Sequence, residues 1–340
     1  MSRRSHKSVI VRTMGALLGL GLLVYLVVRI GPSTLLQQTL AVGWGMLLIL
    51  ALGGFSHLIK AYAWRLTLPS GDGSVTLPRA LGLRLISEAA GQLGLAGQVL
   101  GEGMRVSLLG SSVPVDAAIS SATIDRGLYV VSSAIVGIVG LIGAVMLLPL
   151  SNSWKVYSLA CCGGLLCFLV LTVIAVLRQW PVLSAVARSL QGVPALRNRL
   201  NGTEQTIYSA EQKLHAFHHN SPRAFWTSLA LNLCSQVLAI MEVYLLVSFM
   251  GSRIGVVSAF VFEGFTKLVN TVGALVPGNV GTYEGGSMLI ARLFHITSAV
   301  GFSIGICRRI RGLFWAAIGM LCMHLVSRPQ RQQNIAYMGV

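Results

Sequence analysis

Six carboxylates lie in or beside apolar stretches of this sequence: Glu88, Glu102, Asp125, Glu242, Glu263 and Glu284. Cations stand near them in the chain: Arg84, Arg105, Arg126, Lys267 and Arg292. A charge among apolar groups is costly unless it is paired or hydrated. Two kinds of chemistry fit this pattern. The charges can be buried ion pairs that hold pieces of helix together, or they can line a polar cavity for a headgroup or a coupled proton. Pairs that line a cavity do both.

The most specific stretch runs over residues 276–286, with the sequence VPGNVGTYEGG. Pro277 ends one helix piece, Gly278 and Gly281 permit tight turns, and Thr282 starts a second piece with Glu284 in its first turn. The free N–H groups of such a helix start suit a phosphate or a carboxylate. The stretch lacks the GK[ST] of a nucleotide-binding loop, which argues against ATP. Just upstream, helical spacing puts Glu263, Lys267 and Asn270 on one face, so Glu263 and Lys267 can pair. No Ser/His/Asp or Cys/His set stands out. His215, His218 and His219 fall in a polar segment, and the six cysteines read as small hydrophobes without zinc-ligand spacing. The reading therefore assigns no catalytic residue, no metal and no cofactor.

The elements that carry these residues are apolar. Of the 340 residues 54% are hydrophobic and only 11% charged, against roughly a quarter charged in soluble domains; mean hydropathy is +0.74. Runs near the 20 residues that cross a bilayer recur along the chain. Full spans are expected at 13–28, 40–59, 127–148, 156–177, 225–250 and about 310–326. The charges are unbalanced, 26 basic against 10 acidic, but most basic residues lie between the apolar runs. The positive-inside rule and anionic lipid headgroups at the cytoplasmic surface account for them, and nucleic-acid binding is not expected. Lys60, Arg65 and Arg79 mark one cytoplasmic side, and the basic connector 178–224 marks another. Arg3, Arg4, Lys7 and Arg12 precede the first run with no cleavage site after it, so this run reads as an uncleaved span. Both termini are then cytoplasmic, in a multi-pass protein of the cell inner membrane.

Regions 85–109 and 260–294 are apolar, dense in glycine and acidic, and read as re-entrant or broken helices packed against each other. Non-helical backbone at membrane depth survives only when buried in protein or lining a wet cavity. Leu50-Ala51-Leu52 with Ser56 recurs as Leu229-Ala230-Leu231 with Ser235, 179 residues on. Glu102 matches Glu284 at a shift of 182, and Arg126-Gly127-Leu128 matches Arg311-Gly312-Leu313 at a shift of 185. The fold expected is an all-α polytopic membrane protein of about six full spans and two broken ones. Its half-repeats, 13–150 and 156–327, form an inverted pair, a recurring transporter construction. In this arrangement Arg308, Arg309 and Arg311 begin their span from the outer side, against the positive-inside rule.

At these residues the chain resembles the flippase-like membrane half of bacterial lysylphosphatidylglycerol synthases, a family with stand-alone hopanoid-associated members. Ala63-Trp64-Arg65, Gly101-Glu102 with Arg105, Asp125-Arg126, Pro277-Gly278 with Gly281 and Glu284, and the late Arg309 carry the resemblance, over about 40–326. Members often have Pro-Gly-Gly where this chain has Pro277-Gly278-Asn279. The resemblance implies lipid translocation or trafficking without the synthase activity, the substrate being a phospholipid, hopanoid or polyprenyl-linked lipid. The expected cavity residues are Glu88, Glu102, Arg105, Asp125, Arg126, Glu263, Lys267, Asn270, Pro277, Gly278, Gly281, Glu284, Arg309 and Arg311. Two alternatives stay open: a membrane-embedded lipid-modifying enzyme, and a non-transporting partner of a lipid or glycosyl transferase. A homo-oligomer or a lipid-modifying enzyme partner is compatible with all of these.

Overall fold

The computed structural model describes residues 28, 32–69, 75–91, 95–110, 113–148, 151–191, 204–273 and 282–326. Regular structure among them is entirely helical. In chain order the helices are α1 (Pro32–Val42), α2 (Gly45–Arg65), α3 (Leu77–Gly91), α4 (Leu95–Leu109), α5 (Val115–Leu147) and α6 (Asn152–Leu177). They continue as α7 (Val182–Gln191), α8 (Glu204–Asn220), α9 (Pro222–Phe249), α10 (Val256–Gly273), α11 (Thr282–Leu293) and α12 (Ser298–Val326). Helices α2, α5, α6 and α9 are long and apolar enough to cross a membrane. The chain is an all-α polytopic membrane protein.

Several expected elements shift. The span expected at 40–59 starts and ends later, as α2, after a separate helix α1 and a turn at Gly43, whose φ of +59° suits glycine. The first span, 13–28, lies outside the described residues except for Val28. The span expected at 310–326 is the end of a longer helix: α12 has 29 residues, and Arg308, Arg309 and Arg311 sit in its middle. These arginines do not begin a span from the outer side, so the conflict with the positive-inside rule disappears.

Region 85–109 is divided between α3 and α4, which pack on each other, and region 260–294 between α10 and α11, which do the same. Among the described residues the two pairs do not form the expected interface with one another. Helix α3 packs instead on α12, and α10 on α5, so each pair leans on the long helix of the other half. The packing is set by small residues, as is usual where lipid supplies no hydrophobic drive between helices. A Cβ at Gly140 of α5 would fall 2.7 Å from Cα of Gly264 on α10. A Cβ at Gly319 of α12 would collide with the carbonyl oxygen of Leu85 on α3. Gly319 follows Gly140 by 179 residues, and Gly264 follows Leu85 by the same 179. This is also the shift between the Leu50 and Leu229 motifs. The match of Arg126 with Arg311 at 185 therefore does not hold in the packing: at 179 the counterpart of Arg311 is Ser132.

Apolar packing fills the bundle on both sides of the charges. One cluster gathers Ile49, Leu141, Leu246, Phe262 and Ile304; the other gathers Trp64, Leu83, Leu109 and Ala117. Helix α6 packs on α5 and leaves most of its apolar surface outward, as a lipid-facing helix does. The 33 residues of α5 extend about 50 Å at 1.5 Å per residue, well beyond a hydrocarbon core of about 30 Å. Connector helix α8 packs along α5, and Lys213 Nζ lies 2.7 Å from Asp116 at the N-terminal end of α5.

Candidate functional site

The arginines of α12 organise the second half. Residues three apart share a helix face and adjacent ones do not. Arg308 and Arg311 accordingly point one way and Arg309 another. Arg308 Nη2 lies 2.7 Å from Glu263 Oε2 on α10, and its Nε is 3.4 Å from Glu242 Oε2 on α9. Arg311 Nη1 reaches the same Glu242 oxygen at 2.5 Å. Arg309 Nε reaches Glu284 Oε1 of α11 at 2.5 Å. Glycine makes that last contact possible: a Cβ at Gly305 would fall 3.0 Å from Cα of Glu284, so α11 lies directly against α12. Helix α11 begins at Thr282 with Glu284 in its first turn. Glu263 also pairs with Lys267 at 2.7 Å, one turn further along α10.

A smaller cluster occupies the first half. Asp125 of α5 receives Arg105 of α4 at 2.9 Å and Arg84 of α3 at 3.1 Å. Arg105 is fully buried, pairs with Glu102 one turn earlier, and stacks 4.3 Å from the Trp64 ring. Glu88 is half-buried on α3, within electrostatic reach of His57, Lys60, Arg84 and Arg311. Arg126 departs from expectation. It is exposed, donates from Nη2 to Gln98 Oε1 at 2.5 Å and lies 5.4 Å from the Tyr129 ring. A step of one residue turns a helix by about 100°, so Asp125 faces inward and Arg126 does not. Pro277, Gly278 and Gly281 lie outside the described residues.

Between the clusters is a cavity of about 130 Å³. Its charged lining is Lys60, Lys267, Arg308, Arg311, Glu242 and Glu263. Asn270, Gln236, Tyr129 and Tyr283 add neutral hydrogen-bonding groups. The cavity thus takes in Glu263, Lys267, Asn270 and Arg311 from the expected set. Glu102, Arg105, Asp125, Glu284 and Arg309 are held in ion pairs away from its walls. Sequence reasoning places Glu242 among the intramembrane acids but not in the cavity, reads Lys60 as a cytoplasmic-side marker and Arg308 as the start of a span, and does not assign Gln236 to the cavity. A lysine directly after the 40–59 run and the Arg-Arg-x-Arg spacing of α12 are the signals that could have found Lys60 and Arg308. Gln236 donates to the Ser133 hydroxyl at 2.8 Å, tying α9 to α5 beside the cavity.

A larger cavity of about 680 Å³ opens where α2, α5, α8 and α9 end or begin, lined by Arg65, Thr67, Ser120, Lys213, Phe217 and Asn220 among others. Its two cations are Arg65 and Lys213, and Lys213 is already engaged by Asp116. The chemistry is concentrated in the smaller cavity.

Comparison with solved structures and with curated proteins returns no match. The family comparison does: residues 12–319 match the model described as lysylphosphatidylglycerol synthase TM region, starting earlier in the chain than the resemblance read at about 40–326. A multi-pass membrane bundle with buried ion pairs around a polar cavity, matched over nearly its whole length, belongs to the lysylphosphatidylglycerol synthase TM region family, a membrane domain tied to lipid metabolism.

Proposed function

We propose that the protein translocates or traffics a lipid, its headgroup passing through the charged cavity while its acyl chains stay in the membrane. The observation that carries this reading is the lining itself. Six charged side chains from α2, α9, α10 and α12 converge on one small space inside a membrane bundle. The pairs close on each other and also border a void, which packing alone does not require. The 179-residue shift shared by two helix crossings supports a repeat of α2–α5 in α9–α12, with the cavity between the halves as in inverted-repeat transporters. The working residues are Glu263, Lys267, Asn270 and Arg311, with Lys60, Glu242 and Arg308 beside them. The clusters at Asp125 and Glu284 hold the hairpins in place.

The test is translocation of a fluorescent phospholipid in reconstituted vesicles, followed by chemical quenching of the outer leaflet. Native protein is expected to expose inner-leaflet lipid faster than protein-free vesicles do. Lys267→Gln is expected to slow this with folding retained. Native protein indistinguishable from empty vesicles, across phospholipid, hopanoid and polyprenyl-linked probes, overturns the reading.

A further inference from the structure

The lining of the central cavity is not neutral. It holds four cations, Lys60, Lys267, Arg308 and Arg311, and two carboxylates, Glu242 and Glu263. The carboxylates are already used: Glu263 by Lys267 and Arg308, Glu242 by Arg308 and Arg311. Lys60 has no carboxylate within ion-pair distance among the described residues; its ammonium lies 5.0 Å from the Tyr129 ring. Widening the circle does not restore the balance. Among the described residues, counting Arg84, Arg105 and Arg309 with Glu88, Glu102, Asp125 and Glu284 of the helices around the cavity still leaves one more cation than carboxylate in this set. An unneutralised charge in such a place is costly.

The geometry points to a phosphate monoester group as the ligand of this cavity, bound between Lys60, Lys267 and Arg311. This inference rests on the cavity's role in lipid handling proposed above. Charge is the first argument. The surplus is two in the lining itself and one with the surrounding clusters, and a phosphate monoester, which carries about −1.5 to −2 at pH 7, offsets more of it than a singly charged diester does. Hydrogen bonding is the second. Tyr283 accepts from Arg308 Nη1 at 2.9 Å, so its own hydroxyl proton is free to be given elsewhere, and Asn270 and Ser56 also border the space. Size is the third: a space of about 130 Å³ admits a phosphate group.

The experiment uses the full chain in phosphatidylcholine nanodiscs and reads the melting midpoint. Three additions are compared: phosphatidic acid in the disc, phosphatidylglycerol in the disc, and soluble inorganic diphosphate. Phosphatidic acid is expected to raise the midpoint saturably and phosphatidylglycerol is not. Stabilisation by soluble diphosphate instead identifies the same chemistry in a free anion. Lys60→Gln is expected to weaken the apparent affinity by roughly 10- to 100-fold, as loss of a charged hydrogen bond does. Lys60→Arg is expected to keep it, and Arg253→Gln, at an exposed position, to leave it unchanged. Without added anion, Lys60→Gln is expected to be close to the native chain in stability, because no carboxylate loses an ion pair and Glu88 keeps Arg84 within electrostatic reach. Equal response to phosphatidylglycerol and phosphatidic acid, or unaltered anion response in Lys60→Gln, overturns the assignment. Since the readout is binding, its failure leaves the translocation assay untouched, and the reverse holds too.

Discussion

Arg308 and Arg309 are neighbours in the chain but serve different carboxylates, Glu263 and Glu242 for the first and Glu284 for the second. That difference decides what substitutions do. Glu284 is buried against Arg309 and away from the cavity walls, so Glu284→Gln removes the charge of a buried ion pair. The expected loss is about 3–5 kcal/mol of stability, read as a lowered melting midpoint in detergent. Removing both charges in Glu284→Gln with Arg309→Met should recover most of it, and an unrecovered double variant would show that the pair is not the cause. In the other half, Arg105 both pairs with Asp125 and stacks on Trp64. Lysine keeps the charge but loses the planar stacking and the forked donors. Arg105→Lys is expected to cost about 1–2 kcal/mol and to shift Trp64 fluorescence. Most of the residues in these clusters were legible as intramembrane charges, and so was the pair of Glu263 with Lys267, one turn apart. A pair such as Glu242 with Arg311 was not, because the two are 69 residues apart and only the crossing of α9 with α12 brings them together.

Helix existence was readable from apolar runs, and the division of 85–109 and 260–294 from their glycines. Which helix lies on which was not readable. The expectation that the two broken regions pack on each other failed because their glycines serve other crossings: Gly264 meets Gly140 of α5, and Leu85 meets Gly319 of α12. Arg-Gly-Leu triplets at a shift of 185 misled, since they align by composition and not by contact. The crossings give a direct prediction. Gly140→Leu inserts a side chain where the Gly264 backbone already lies, and overpacking of this kind costs about 1–3 kcal/mol or more. Gly103→Leu is the control, because a Cβ there meets nothing within 4 Å. Equal effects of the two on melting midpoint would show that the α5–α10 crossing is not tight.

Across the whole molecule, the 179-residue shift pairs Arg84 and Glu88 of α3 with Glu263 and Lys267 of α10. The signs are exchanged, acid for base, at both positions. Two halves with equal charges at these places would bring like charges to a shared centre; exchanged ones avoid this, while Arg84 and Glu263 each pair within their own half. Charge placement along the chain predicts how the repeat lies in the membrane. Ser151, between α5 and α6, should be outside and Ser327, beyond α12, inside. Cysteines placed at the two sites, labelled with an impermeant reagent before and after permeabilisation, should react from opposite sides. Reaction from one side would overturn both the orientation and the inversion of the halves.

The three arginines in the middle of α12 also govern the order in which the chain can be built. On insertion scales each costs about 2.5–3.5 kcal/mol at a helix centre, roughly 8–10 kcal/mol together, which the apolar residues of one helix do not repay. Glu242, Glu263 and Glu284 precede them in the sequence, so during synthesis the acids are delivered to the membrane before the bases arrive. Helix α12 then leaves the translocon into a bundle that already holds its counter-charges.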